Sequence, residues 1–290
     1  QVVISDMSGI ERGFRSKFLS PGIFHTKSLT PSREKIQIHQ KIVDEGSLIT
    51  SIDEEGGLVN PGYEVFAKRR YSNHSIGMSS ATFCWGEEDF ETLKKFYPQH
   101  SSKIHMTGSP RVDLWKKKFS KFWSLPSSIA PQRPYLLIIG NMSAVNAYTP
   151  FYERIKNARD AGYFQRDPEM LRTLLIRGSE HFLLTNEYIE AIEYMNKDNK
   201  GFDIVLRPHP VENIESWKSY LDGMSNVYVT REGPINAWVN NALAIMHNGC
   251  TTAYEVTISQ KELITFIPIE RETDNLPNKW GHIVKTKKDL

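Results

Sequence analysis

Short apolar runs alternate with longer stretches of helical period along the 290 residues, the pattern of βαβ units carrying a mostly parallel sheet. In the first half, 48–52, 82–85 and 104–107 read as strands and 33–44, 87–97 and 110–119 as helices, so strand ends fall at Asp53, Gly86 and Gly108. A polar, proline-bearing stretch from Ser124 to Pro134 interrupts the series before the apolar run Tyr135-Leu136-Leu137-Ile138-Ile139. That break places a domain boundary between 131 and 132. Beyond it, helices at about 149–160 and 168–197 lead to a strand at 202–206. Helices near 212–222, 233–241 and 251–259 then alternate with strands at 227–229, 244–246 and 263–266. The prediction is an α/β chain with a doubly wound sheet, in two domains covering 1–131 and 132–290. In open parallel sheets the ligand crevice lies beyond the carboxyl ends of the strands. Gly140 and Asn141, Arg207 and His209, Arg231 and Glu232, and His247 to Thr252 occupy those ends.

Composition narrows the class. Apolar residues at 39% and charged residues at 24% are those of a globular protein. The formal charge of +2 is too small to predict nucleic acid or a membrane surface as partner. Cys84 and Cys250 offer neither a disulfide framework nor metal-ligand spacing, so a reduced cytosolic compartment is expected and a zinc site is not. No apolar run is long enough to span a bilayer, which leaves peripheral contact as the expected form of membrane association. The chain opens on Gln1 and passes quickly into Gly/Ser/Arg-rich sequence; it reads as a fragment lacking N-terminal strands.

Four groups of residues could carry chemistry. His247-Asn248-Gly249-Cys250-Thr251-Thr252 joins a strand to a helix, where backbone N–H groups, the Thr hydroxyls and the helix dipole suit a phosphate. His247 could donate to the same anion and Glu255, one turn in, could accept from ribose hydroxyls. The structural alternative is a capped helix with His247 in the core. Arg207-Pro208-His209-Pro210 is a stiff strand-end turn presenting a guanidinium for bidentate phosphate contact and an imidazole for proton transfer. Asp53, Glu54 and Glu55, followed by Gly56 and Gly57, could supply a general acid or base, since crowding of like charges raises a carboxylate pKa. His25, Lys27 and Arg111 are acceptor-side candidates, with Tyr63, Arg69 and Arg70 further possibilities. No aspartate pair of the kind that holds a metal-bound sugar diphosphate stands out, so no metal is expected.

The ordered set of Phe24-His25-Thr26-Lys27-Ser28, Ile52-Asp53-Glu54-Glu55-Gly56, Cys84-Trp85-Gly86, Thr107-Gly108-Ser109-Pro110-Arg111-Val112-Asp113, Arg207-Pro208-His209-Pro210, Arg231-Glu232-Gly233, His247 to Thr252 and Leu276-Pro277-Asn278 resembles the bacterial surface carbohydrate biosynthesis proteins. The resemblance runs from about Gly22 to Asn278. It implies a glycosyltransferase-B-like architecture, two Rossmann-like domains facing one another across a cleft, with an N-terminal domain shorter than a complete Rossmann unit. It also implies a cytoplasmic glycosyltransferase of capsule, O-antigen or lipopolysaccharide assembly, working at the inner membrane. The substrates implied are a nucleotide sugar and a glycan or lipid-linked acceptor, with no cofactor. The C-terminal domain is similar to those of transferases using CMP-activated ulosonic sugars such as Kdo or the nonulosonic acids. By that likeness Arg207, His209, Glu232, His247, Thr251 and Thr252 fall on the donor side, joined at the strand ends by Gly140, Asn141, Asn248 and Gly249. The Asp53–Glu55 loop becomes the acid/base side. The sequence departs from the family pattern at His25, where an Asp is usual, and at Gly140-Asn141-Met142. A sugar-nucleotide epimerase or hydrolase on the same scaffold, or a non-catalytic assembly protein, are the competing readings.

Overall fold

In a computed structural model, residues 2–6, 9–10, 12–13, 16, 18–56, 62–160, 162–197, 201–270 and 276–290 are described; Gly57 falls outside them. The chain forms two compact units, Gln1–Asp113 and Leu114–Leu290. The first carries four parallel strands, β1 (Ile23–Thr26), β2 (Leu48–Ile52), β3 (Ala81–Cys84) and β4 (Ile104–Met106), in the order β1-β2-β3-β4. Its core gathers Leu29, Ile42, Ile49, Ile76, Leu93 and Ile104. The strand order runs one way throughout, so these strands contain no point at which the winding reverses.

The second unit does contain one. β5 (Tyr135–Ile139), β6 (Asp203–Arg207), β7 (Val227–Val229), β8 (Ala244–His247), β9 (Glu262–Phe266) and β10 (His282–Val284) lie in the order β10-β9-β8-β5-β6-β7, all parallel. The chain winds from β5 outward through β6 and β7, then returns to pair β8 on the other side of β5. The topological switch point therefore falls between β5 and β8, where ligands of open α/β sheets bind.

Every residue of β5 and β6 is buried, as expected of parallel strands covered on both faces. The period of two divides them. Leu136, Ile138, Ile204 and Leu206 pack with Leu184, Tyr188 and Ile192 of the long helix Met170–Lys197, and with Trp217. Tyr135, Leu137, Ile139 and Val205 face the opposite layer, with Trp238, Ala253 and Val256.

The structure differs from the sequence expectation in particular places. The division falls after Asp113 instead of at 131, because 114–131 docks on the second unit. Leu125 and Ile129 pack against the Tyr135–Trp238 layer, and Ser259 Oγ donates to the Trp115 carbonyl at 2.9 Å. β1, β10 and the helices Tyr63–Arg70 and Asn73–Met78 have no counterpart in the sequence pattern. Arg207 is the last residue of β6 rather than the first beyond it. Among the described residues no helix is long and apolar enough to cross a membrane.

Candidate functional site

The ends of β5 and β6 are tied together by a carboxylate. Glu212, fully buried, accepts the Met142 N–H at 2.9 Å and the His209 N–H at 2.6 Å, while Gly140 N–H bonds the Arg207 carbonyl at 2.8 Å. Burial pushes the Glu212 carboxyl above its ordinary range in spite of those donors. Gly140 is required by close approach: a Cβ there would stand 2.6 Å from Glu212 Oε2 and 3.0 Å from the Pro208 Cα. Glu212 carries no strand-end signal in the sequence, yet it holds both turns in place.

Arg207 does not present its fork to solvent. Its side chain is buried over the Trp238 ring, 5.4 Å from the centroid. Nη1 donates to the Glu232 carbonyl at 2.7 Å, and Nη2 to those of Gly233 and Arg231 at 2.9 and 3.1 Å. Burial lowers its pKa to about 10, leaving it charged at neutral pH. The expected bidentate phosphate contact is thus replaced by a clamp on the 231–233 loop, to which Glu232 contributes its backbone carbonyl. That carbonyl also accepts the Trp238 Nε1–H at 2.7 Å, and the Glu232 residue is exposed.

His209 lies beside this clamp and is half-buried. Its Nδ1 accepts the Val211 N–H at 3.3 Å, so in the neutral ring the proton sits on Nε2. Burial, then Arg177 and Arg231, push its pKa down, and the ring is a neutral donor at pH 7. Arg231 is held by the Pro210 carbonyl and the Tyr148 hydroxyl, both at 2.7 Å, with its guanidinium 5.7 Å from the Tyr148 ring centroid. Arg154 bonds the Ser143 carbonyl, and Arg177 projects from the long helix close enough to influence both Arg154 and His209. Among the described residues, none of these three arginines forms an ion pair. The result is a cluster of cations at the end of β6, where the Glu212 carboxylate is engaged by backbone N–H groups, and two of the arginines, Arg154 and Arg177, lie on helices where strand-end reasoning does not look.

At the switch point the His247 loop is stitched from three directions. Asn141 Nδ2 donates to the carbonyls of Asn248 and Gly249 at 3.2 and 3.3 Å; Asn278 Oδ1 accepts the Gly249 N–H at 2.6 Å; Asn248 Nδ2 donates to the Phe266 carbonyl at 2.6 Å. Gly249 turns with φ 63°, a conformation that favours glycine. These bonds occupy the Gly249 N–H and the Asn248 amide, two of the groups expected to meet a ligand. His247 is buried, receives the Cys250 N–H on Nδ1 at 3.4 Å and bonds Thr265 Oγ1 through Nε2 at 2.9 Å. Burial lowers its pKa to about 4. It is the satisfied core histidine of the structural alternative. Asn248 and Glu255 are likewise interior, and Glu255 accepts the Asn236 Nδ2–H at 3.0 Å instead of meeting a ribose. Thr252 is buried at the start of the helix Thr252–Ile258; Thr251 precedes it without a side-chain capping bond and is half-buried. Asn141, Gly249, Cys250 and Thr251 stay partly open at this turn.

In the first unit the three carboxylates take different parts. Asp53 is buried and bound by Arg70 through two bonds of 2.8 and 2.9 Å, and its Oδ1 also accepts the Glu55 N–H at 3.0 Å. Trp85 Nε1 bonds the Asp53 carbonyl at 2.7 Å. Glu55 lies 3.3 Å from Arg70 and is 54% exposed; Glu54 lies 3.9 Å from Arg111 and is 40% exposed. Arginines therefore offset the like-charge crowding expected of the run, and Glu54 and Glu55 are the accessible members. His25 and Lys27 are exposed at the end of β1; His25 Nδ1 bonds Thr50 Oγ1 at 2.9 Å, and the Lys27 carbonyl accepts the Glu54 N–H at 3.1 Å. Lys35, which the sequence did not single out, donates to Ser28 Oγ at 2.7 Å, and burial lowers its pKa.

No family model and no curated protein matches the chain. Solved structures match it in fold. A candidate UDP-N-acetylglucosamine 2-epimerase from Listeria monocytogenes aligns with a TM-score of 0.55 and 12% identity, over 98% of this chain and 67% of that one. S. aureus MnaA in complex with UDP aligns at 0.53 and 10%, over 100% and 70%. The UDP-GlcNAc 2-epimerase of Methanocaldococcus jannaschii aligns at 0.53 and 14%, over 97% and 71%. At such identities the likeness shows the fold: this chain is an α/β protein of glycosyltransferase-B type, with two parallel-sheet units.

Proposed function

We propose that the protein is a glycosyltransferase that takes a sugar from a nucleotide donor held by the second unit. The observation that carries this reading is the gathering of His209, Arg177 and Arg231 at the end of β6, next to the central strand β5. A departing phosphate gains charge as the glycosidic C–O bond breaks, and donors already fixed in place stabilise that charge with little reorganisation. His209 Nε2–H and the two guanidinium groups are the donors; Arg207, Glu212 and Gly140 position them. Glu55 or Glu54 takes the proton of the acceptor hydroxyl as its oxygen attacks the anomeric carbon. The residue cast resembles that of enzymes using CMP-activated ulosonic sugars, and the acceptor is a surface glycan or its lipid-linked precursor met at the inner membrane. The reaction needs no metal, so transfer persists in EDTA.

An epimerase is the second reading, favoured by the UDP-sugar epimerases among the solved structures of like fold. One assay separates the two. Incubation with nucleotide sugars, with and without a glycan acceptor, should yield nucleotide release dependent on acceptor, and His209→Ala should lower kcat by about 10². Full conversion of a UDP-sugar to its epimer without acceptor would replace transfer by epimerisation.

A further inference from the structure

The long helix Met170–Lys197 has two apolar faces. One, with Leu184, Tyr188, Ala191 and Ile192, packs on the sheet. The other carries Leu175, Ile176, Phe182 and Leu183, which are 48, 44, 67 and 59% exposed. At about 100° per residue, these four and Ser179 fall on one stripe opposite the packed face. A contiguous exposed apolar patch of several hundred Å² marks an interaction surface more often than ordinary solvent-facing surface.

The stripe is arranged symmetrically about Ser179. Leu175 and Leu183 stand four residues to either side, Ile176 and Phe182 three residues, Arg172 and Asn186 seven. If a second copy of the helix lies antiparallel across it, Leu175 meets Leu183, Ile176 meets Phe182, and Arg172 reaches the end bearing Asn186, Glu187 and Glu190. A parallel arrangement would set Arg172 against its own copy. Arg172 forms no ion pair among the described residues, so its charge is available to the acidic end of the other helix. At the centre, Ser179 is small enough for close approach, and its hydroxyl already donates to the Leu175 carbonyl at 3.1 Å, so covering it leaves no unsatisfied donor.

We infer that this face of the helix Met170–Lys197 is a two-fold interface with a second copy of the same chain, crossing antiparallel at Ser179. Packed helices lie roughly 8–10 Å apart axis to axis, which brings facing Cα atoms at the crossing to about 4–6 Å, within the span of a disulfide. The intact chain carrying Ser179→Cys is therefore expected to form a covalent dimer under mild oxidation while the parent chain does not. Light scattering should give twice the chain mass for the parent and the single mass for Phe182→Glu, with nucleotide binding per chain unchanged in both. A parent chain that stays monomeric to roughly 100 μM overturns the inference. So does a Phe182→Glu variant that remains dimeric, or a monomer that uses this face to bind vesicles of anionic lipid.

Discussion

Replacing Arg207 with methionine should lower the unfolding midpoint of the second unit by roughly 6–12 °C, the equivalent of about 3 kcal/mol for a unit of this size. The buried guanidinium gives three charge-assisted bonds to the carbonyls of Arg231, Glu232 and Gly233, each of a kind worth roughly 1.5–3 kcal/mol. Residues 232 and 233 are exposed, so water can recover part of that loss. Methionine keeps the stem over Trp238 and leaves no unpaired charge behind. Because the 231–233 loop also sets the position of Arg231, nucleotide affinity should fall together with stability. A direct phosphate ligand would behave differently: the same substitution would abolish binding and leave the midpoint almost unchanged. Differential scanning calorimetry alongside calorimetric titration distinguishes these outcomes.

The second large effect is a contrast within the acidic loop. Asp53→Asn removes a buried charge that pairs with both arms of Arg70 and orders the Glu55 turn. Breaking one side of such a buried pair costs about 3 kcal/mol or more, and the first unit should unfold at lower temperature. Glu55→Gln touches an exposed carboxylate whose contact with Arg70 is worth little to stability, so its midpoint should hardly move. Transfer should respond in the opposite order of cause: Glu55→Gln abolishes turnover in a fully folded protein, whereas the Asp53 variant loses activity only in proportion to the fraction unfolded. If Glu55→Gln keeps full activity while Glu54→Gln does not, the base is the neighbouring carboxylate.

The chemistry that was legible in the sequence, and the chemistry that was not, divide along physical lines. The buried strands β5 and β6 and the largely buried β8 stand out as apolar runs, and a parallel sheet puts their polar ends on one edge. β1 did not, since Ile23 at the sheet edge is exposed and the run is short. The basic helix Tyr63–Arg70 is hidden for a related reason: Ala67 is its sole buried residue. A strand-end position also does not tell which way a side chain turns. The sequence pattern points Arg207 and His247 toward a ligand, yet both turn inward, where carbonyls and a threonine satisfy them. Glu212 and Arg177 are the reverse case, each an ordinary residue in its own segment that gains meaning from what lies across the fold. At His209 two prolines and the buried Glu212 carboxylate fix the backbone, and the half-buried ring accepts the Val211 N–H on Nδ1.

Isothermal titration of CMP, UDP, GDP and ADP into the parent chain and into Arg231→Ser tests the central claim most directly. One nucleotide, CMP if the ulosonic-sugar resemblance holds, should bind the parent at least tenfold more tightly than the other three. Loss of Arg231 should weaken that binding by about 10- to 100-fold, as expected for a charge-assisted phosphate contact of roughly 1.5–3 kcal/mol. A parent chain that binds none of the four, or an Arg231→Ser variant that binds as tightly as the parent, would contradict the account.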